Sequence, residues 1–270
     1  MKTILIIWGG VSLLPLLLFP QTIPYQEGWP VFVNGPKTSP IKIADIDNDG
    51  EKEVIYGDRS YIGQNDWWLY VKKSNGQDED GWPINYAGTS NPSALADLNN
   101  DGKLEIILAA GGLFIRDYTG NLILEIPYDG PIFQNKYIAY NVSIDDLDND
   151  GIKEIVVTCY SGGAVFVFEP DGSVRDGWPV LGTNLVNTIS ASIGDIDNDG
   201  LKEIIFPADK LYCFKPDGTM CPNFPVSVDF GIRCKVALAD IDNDDNLEMI
   251  FGGRDNNIRV IKYDGTLYQR

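Results

Sequence analysis

Asp45-Ile46-Asp47-Asn48-Asp49-Gly50-Glu51-Lys52-Glu53 sets oxygen donors at alternate positions, turns on a glycine and closes on a glutamate. The pattern recurs as Asp97-Leu98-Asn99-Asn100-Asp101-Gly102-Lys103-Leu104-Glu105, then from Asp146 to Glu154 and from Asp195 to Glu203. A last copy runs from Asp240 to Glu248 with Asp245 in place of the glycine. Successive starts lie 52, 49, 49 and 45 residues apart. Self-similarity at so regular a period marks a repeat architecture.

Each copy sits in the same frame. A short segment such as Ile41-Lys42-Ile43-Ala44 or Val236-Ala237-Leu238-Ala239 precedes it, and an apolar run such as Ile155-Val156-Val157 or Ile204-Ile205-Phe206 follows. These short, β-branched runs predict strands buried on both faces. A third strand comes next (Trp68 to Val71, Leu113 to Ile115, Val165 to Phe168, Leu211 to Phe214, Ile258 to Ile261). A glycine hairpin turn then leads to a fourth segment, Gly81-Trp82-Pro83-Ile84 or Gly177-Trp178-Pro179-Val180. Proline cannot donate to a ladder, which places that segment at a sheet edge. Four antiparallel strands per repeat with no helical pattern predict an all-β propeller of five blades. Gly28-Trp29-Pro30-Val31 is a fourth strand with no first three before it, and the fifth repeat has no such segment after it. The N-terminal strand is therefore expected to close the last blade, an open arc being the alternative.

The loops are also the candidate metal sites. Side chains at positions one, three and five converge, position seven offers its backbone carbonyl, and the glutamate at position nine completes the cage, by the logic of the EF-hand. The expected ligands are Asp45, Asp47, Asp49, Glu51 and Glu53 in loop one, and Asp97, Asn99, Asp101, Lys103 and Glu105 in loop two. Loop three offers Asp146, Asp148, Asp150, Ile152 and Glu154; loop four Asp195, Asp197, Asp199, Leu201 and Glu203; loop five Asp240, Asp242, Asp244, Asn246 and Glu248. Oxygen-only ligation favours calcium, at up to five sites. Loop two, with Asn99, is expected to bind weakest, and loop five must force Asp245 into a glycine-like shape.

Charge supports the same reading. Thirty-nine acidic residues face twenty-one basic ones, for a net charge of -18, and nineteen of the acids stand at positions one, three, five and nine of the loops. Two carboxylates ~4 Å apart repel by roughly 4 kcal/mol at an effective dielectric near 20, so the loops call for a counter-ion. The same charge argues against nucleic acid or an anionic membrane as partner. The chain contains no histidine, which removes the Ser-His-Asp and Cys-His nucleophile systems.

Lys2 followed by the 17-residue apolar stretch Thr3 to Phe19 predicts a secretory signal over residues 1–24, with an uncleaved anchor as the alternative. The propeller is assigned to residues 25–270, outside the cell or on its surface. Of four cysteines, Cys213 and Cys221 flank a hairpin turn and are expected to pair; Cys159 with Cys234 is the weaker pairing.

The five loops, the Glu-Ile/Val-Ile runs behind them and the Gly-Trp-Pro segments resemble the FG-GAP/VCBS repeat family, the calcium-loop propeller repeats also found in integrin α-subunit heads. The resemblance spans residues 28–270. It implies that positions one, three, five, seven and nine hold structural calcium, and that the role is extracellular recognition or adhesion. Two departures stand out: glutamate replaces the integrin-type aspartate at position nine, and integrin heads have seven blades.

The function expected is therefore a secreted calcium-binding module for a protein or glycan, not an enzyme. A polysaccharide-active propeller and a structural surface subunit are the alternatives. Tyr128, Phe133, Tyr137, Tyr140, Trp67 and Trp68 could stack on a ligand, although packing between blades is the simpler role. Asp78, Glu79, Asp80, Asp117 and Glu125 are carboxylates outside the loops, but nothing marks two of them as a catalytic pair.

Overall fold

The structure is a computed structural model that describes residues 26–32, 40–59, 67–86, 93–161, 163–182, 189–228, 231–232, 234–253 and 255–268. The expected signal or anchor, residues 1–24, lies outside the described residues. No helix among the described residues is long and apolar enough to cross a membrane.

Among the described residues, nineteen strands form five antiparallel sheets. Blade one holds β1 (Lys42–Ala44), β2 (Glu53–Arg59), β3 (Trp67–Lys72) and β4 (Ile84–Tyr86) in that order. Blade two holds β5 (Ser93–Ala96), β6 (Glu105–Ala110), β7 (Gly112–Arg116) and β8 (Leu122–Ile126). In blade three stand β9 (Ala139–Asp145), β10 (Glu154–Cys159), β11 (Ala164–Phe168) and β12 (Val180–Leu181). Blade four has β13 (Ser192–Gly194), β14 (Glu203–Pro207), β15 (Lys210–Phe214) and β16 (Val226–Ser227). Blade five has β17 (Ala237–Ala239), β18 (Glu248–Gly252) and β19 (Ile258–Ile261). The chain is an all-β propeller of five blades, as expected.

The core explains why the second strands are apolar throughout. In β10, Ile155 and Val157 join the cluster shared with blade two, while Val156 joins the cluster shared with blade four. Blades two, three and four thus bury both faces, and alternating residues serve opposite neighbours. Four clusters fill the four seams between consecutive blades.

The Gly-Trp-Pro segments lock blade one to blade two and blade three to blade four. The Trp82 indole N–H donates to the Tyr118 carbonyl of blade two at 2.9 Å, and Trp178 donates to the Pro216 carbonyl of blade four at 2.9 Å. A Cβ on Gly177 would stand 1.9 Å from the Asp217 carbonyl oxygen, so only glycine admits this approach. Trp29 donates to the Ser74 carbonyl of blade one at 2.9 Å. That is the place beside blade one expected of an outer strand of blade five. Residues 33–39, which would carry that strand onward, lie outside the described residues.

Cys213 and Cys221 form a disulfide, whereas Cys159 and Cys234 are free. The weaker pairing is therefore not made: Cys159 lies between blades two and three, and Cys234 packs against the seam between blades four and five. Burial pushes the Cys159 thiol up to about 12. Phe133 and Tyr137 are also core residues, with Phe133 edge-on to Phe166 at 5.2 Å. Trp67 is buried and Trp68 half-buried. These aromatics serve packing.

Candidate metal centres

All five loops take one backbone shape, built by their own carboxylates. Asp45 at position one accepts the N–H groups of Asp49 (3.1 Å) and Gly50 (2.9 Å), and Asp146 and Asp195 repeat both bonds. The aspartate at position five accepts the N–H of position seven, as Asp150 does from Ile152 at 2.7 Å. The glutamate at position nine reaches back to position two: Glu53 accepts from Ile46 at 2.9 Å, Glu105 from Leu98 at 2.8 Å and Glu154 from Leu147 at 2.8 Å. Glu203 accepts from Ile196 and Glu248 from Ile241, both at 3.0 Å. Each glutamate opens the second strand of its blade, and all five are buried.

Position four was missed by sequence reasoning. Asn48, Asn100, Asn149, Asn198 and Asn243 all have φ between 57° and 61°, the left-handed region that asparagine tolerates best after glycine. Asn100 also donates across the seam to the Gly151 carbonyl at 3.5 Å, and Asn149 makes the same bond to Gly200. Backbone bonds from Leu104 to Ile46 (2.9 Å), Lys202 to Leu147 (2.8 Å) and Leu247 to Ile196 (3.0 Å) stitch neighbouring loops together. The fivefold repetition of asparagine at position four was the available signal. Asp245 has φ 69°, the glycine-like shape expected of it.

The carboxylates gather as the spacing requires in four loops. Ligand atoms of Asp45, Asp47 and Glu53 lie within 4.8 Å of one another, as do those of Asp146, Asp148 and Glu154, of Asp195, Asp197 and Asp199, and of Asp240, Asp242 and Glu248. Asp49, Asp150 and Asp244 instead cap the N–H of position seven. Loop two differs: the Asn99 amide donates to Glu105 at 3.2 Å and answers the oxygen that faces the cage. For position seven, the side chains of Glu51, Ile152 and Leu201 point to solvent, consistent with a contribution only through the backbone.

The decisive observation is what is left over. Asp197 Oδ1 and Glu203 Oε1 in loop four, and Asp242 Oδ1 and Glu248 Oε1 in loop five, are buried and accept no hydrogen bond. Buried acceptors without a donor are rare, because losing water without a substitute is costly. Burial, reinforced by Asp197, Asp199 and Asp195, pushes the Glu203 carboxyl up to about 7. Burial likewise raises Glu53, Glu105 and Glu154. In loop three the Arg175 guanidinium pairs with Asp148 and stands 2.8 Å from Glu154, and in loop five Lys262 lies 2.8 Å from Asp242. A hard divalent cation fits these donor sets, with loops four and five best and loop two least.

Carboxylates outside the loops hold the fold. Asp78 pairs with Lys72 at 2.6 Å, Glu79 with Lys73 at 3.1 Å, and Asp117 caps its own hairpin turn through Thr119 and Asn121.

Comparison with known proteins agrees with this fold. Residues 41–108 and 146–206 match the FG-GAP-like repeat. No curated protein matches the sequence. Among solved structures, the V. cholerae biofilm matrix protein Bap1 is 17% identical with a TM-score of 0.60, over 87% of this chain and 38% of the Bap1 chain. BBS1N, crystallised in complex with ARL6DN, is 12% identical with a TM-score of 0.58, over 88% of this chain and 69% of its own.

Proposed function

We propose that this chain, whose residues 41–108 and 146–206 match the FG-GAP-like repeat, is an exported, calcium-stabilised propeller that binds an extracellular protein or carbohydrate. The observation that carries the calcium reading is the set of buried, donorless carboxylate oxygens in loops four and five. Asp195, Asp197, Asp199 and Glu203, with their counterparts in the other loops, would hold the ion. The ion would supply charge neutralisation at the loop rim and no chemistry beyond it.

Recognition is favoured over catalysis for two reasons. Asp78, Glu79 and Asp117, outside the loops, are engaged in ion pairs and a turn cap, and histidine is absent from the sequence. The propeller neighbours include a biofilm matrix protein and a domain crystallised in a protein complex, which supports a role in recognition or adhesion for this fold.

Calorimetric titration of chelated protein with Ca²⁺ tests the metal reading, with uptake at four or more sites expected. Glycan and protein arrays probed with and without EDTA test the binding role. Ligand capture that disappears in EDTA supports it, and turnover of a glycan polymer overturns it.

A further inference from the structure

The group that faces the glutamate at position nine differs from loop to loop. In every loop that glutamate commits one oxygen, Oε2, to the N–H of position two. The other oxygen, Oε1, is left for an ion. In loops four and five, Glu203 Oε1 and Glu248 Oε1 are buried with no donor. In loop two, Glu105 Oε1 takes the neutral Asn99 amide at 3.2 Å. In loop three, Arg175 Nη1 stands 2.8 Å from Glu154 Oε1, while Nη2 pairs with Asp148 Oδ2. Glu154 is fully buried, so a guanidinium sits against the oxygens that the other loops offer to a cation.

Lysines beside the other loops stay further out. Lys262 contacts Asp242 Oδ2 at 2.8 Å and Asp244 Oδ2 at 3.2 Å, which leaves Asp242 Oδ1 and Glu248 Oε1 without a donor. Lys215 pairs with Asp199 at 3.4 Å and leaves Asp197 Oδ1 and Glu203 Oε1 in the same state. Arg175 enters from a fixed place. Its N–H donates to the Val167 carbonyl at 2.9 Å, a bond that Glu79 repeats on Val71, Cys221 on Cys213 and Tyr268 on Val260. In blade four that position holds Cys221, which is tied to Cys213 and lines a cavity of about 110 Å³ with Asp197 and Glu203. One backbone position thus fills the cage of blade three and leaves that of blade four open.

We infer that Arg175 is a tethered counter-ion that competes with calcium for loop three, so that this loop fills after loops one, four and five. The inference rests on the calcium reading of the loops. A guanidinium keeps its charge at any pH the protein meets, so calcium has to displace it and cannot wait for it to neutralise. Displacement has a driving force and an exit. Asp148 Oδ1 is buried without a donor and still favours a cation. Glu169, on the solvent side, lies 3.4 Å from Arg175 Nη1 and gives the guanidinium a carboxylate to hold once it has left the cage.

Calorimetric titration of the full, chelated chain with Ca²⁺, in a mild non-ionic detergent that keeps the Thr3–Phe19 stretch in solution, counts the sites of the tight class. Arg175→Gln is expected to add one site to that class, with affinity at loop three rising by at least about tenfold as a competing charge is removed. Its melting temperature should fall in EDTA, because Asp148 and Glu154 lose their counter-charge, and calcium should raise it by more than it raises the wild type. Glu154→Gln keeps the acceptor for Leu147 and should delete no tight site, whereas Glu203→Gln should delete one. This comparison reads the inference even where Arg175→Gln fails to fold without calcium. The double variant should lose the site that Arg175→Gln adds. A tight class unchanged in Arg175→Gln, or smaller by one in Glu154→Gln, overturns the inference and leaves the calcium reading standing. No calcium uptake by the wild type overturns both.

Discussion

Glu203 shows at single-residue scale how these loops work. One carboxylate oxygen is held by the Ile196 N–H and the other is buried without a donor. Its rise from 4.5 to about 7 amounts to roughly 3 kcal/mol against the charged form when no ion is present. Glu203→Gln keeps the acceptor for Ile196 and removes the charge. In EDTA at pH 8 it should raise stability by about 1–3 kcal/mol, while in calcium it should lower the melting temperature and delete one site from the titration. Denaturation with and without calcium reads both signs, and a variant less stable in both conditions sinks the cage reading. Asp245 is the complementary case. Its φ of 69° puts a side chain where the other four loops have glycine. Asp245→Gly should stabilise the protein by about 1 kcal/mol, the low end of the cost of a left-handed non-glycine residue, as measured by urea denaturation.

At the scale of strands and turns, the Gly-Trp-Pro segments were read in the sequence as edge strands, and the structure refines that. The glycine has positive φ (87° at Gly81, 88° at Gly177), the tryptophan packs on the next blade, and pairing begins only after the proline, at Ile84 or Val180. Trp82→Phe keeps most of the ring and loses the bond to Tyr118, so about 1–2 kcal/mol of stability should go with it. Gly81→Ala should cost more, since its Cβ would meet the Thr119 carbonyl oxygen at 2.2 Å. Thermal melts of the two variants check the order, and equal melting points would mean that the segment is not a lock. The second and third strands were legible because burial on both faces leaves a run of apolar residues, as in β10. The loop ligands were legible because coordination by short side chains demands alternate spacing. The asparagine bridges were not, because Asn149 reaches Gly200 only after two blades stand side by side. Nor did Arg175 stand out, for its partners in loop three, Asp148 and Glu154, lie 27 and 21 residues away in the chain. Position seven leaves no pattern at all, since Lys103, Ile152 and Leu201 can each offer only a backbone carbonyl.

Across the whole molecule, the loops make stability depend on pH and calcium together. Glu53, Glu105, Glu154 and Glu203 are all raised, with burial the largest cause in each. A carboxyl with a raised folded-state pKa holds its proton longer in the native protein than in the unfolded chain. Above the ordinary value of 4.5, and for Glu203 up to about 7, the native state therefore binds more protons, and stability falls as pH rises. The turn caps Asp117, Asp171, Asp217 and Asp264 are lowered by their hydrogen bonds, so they act in the opposite sense, but only below the ordinary aspartate value of 3.8. The net charge of -18 adds repulsion in the same direction as the glutamates. In EDTA the melting temperature should accordingly be higher at pH 5 than at pH 7.5. Calcium must reverse the slope, because its ligands bind as carboxylates and each site filled releases the protons held there. Melting curves across pH 5 to 8 with EDTA and with excess Ca²⁺ should cross, and proton release should register as a buffer-dependent heat in the titration. Parallel curves would mean that the buried glutamates answer to something other than a cation, and the reading of the rim as a ring of ion cages would fall with them.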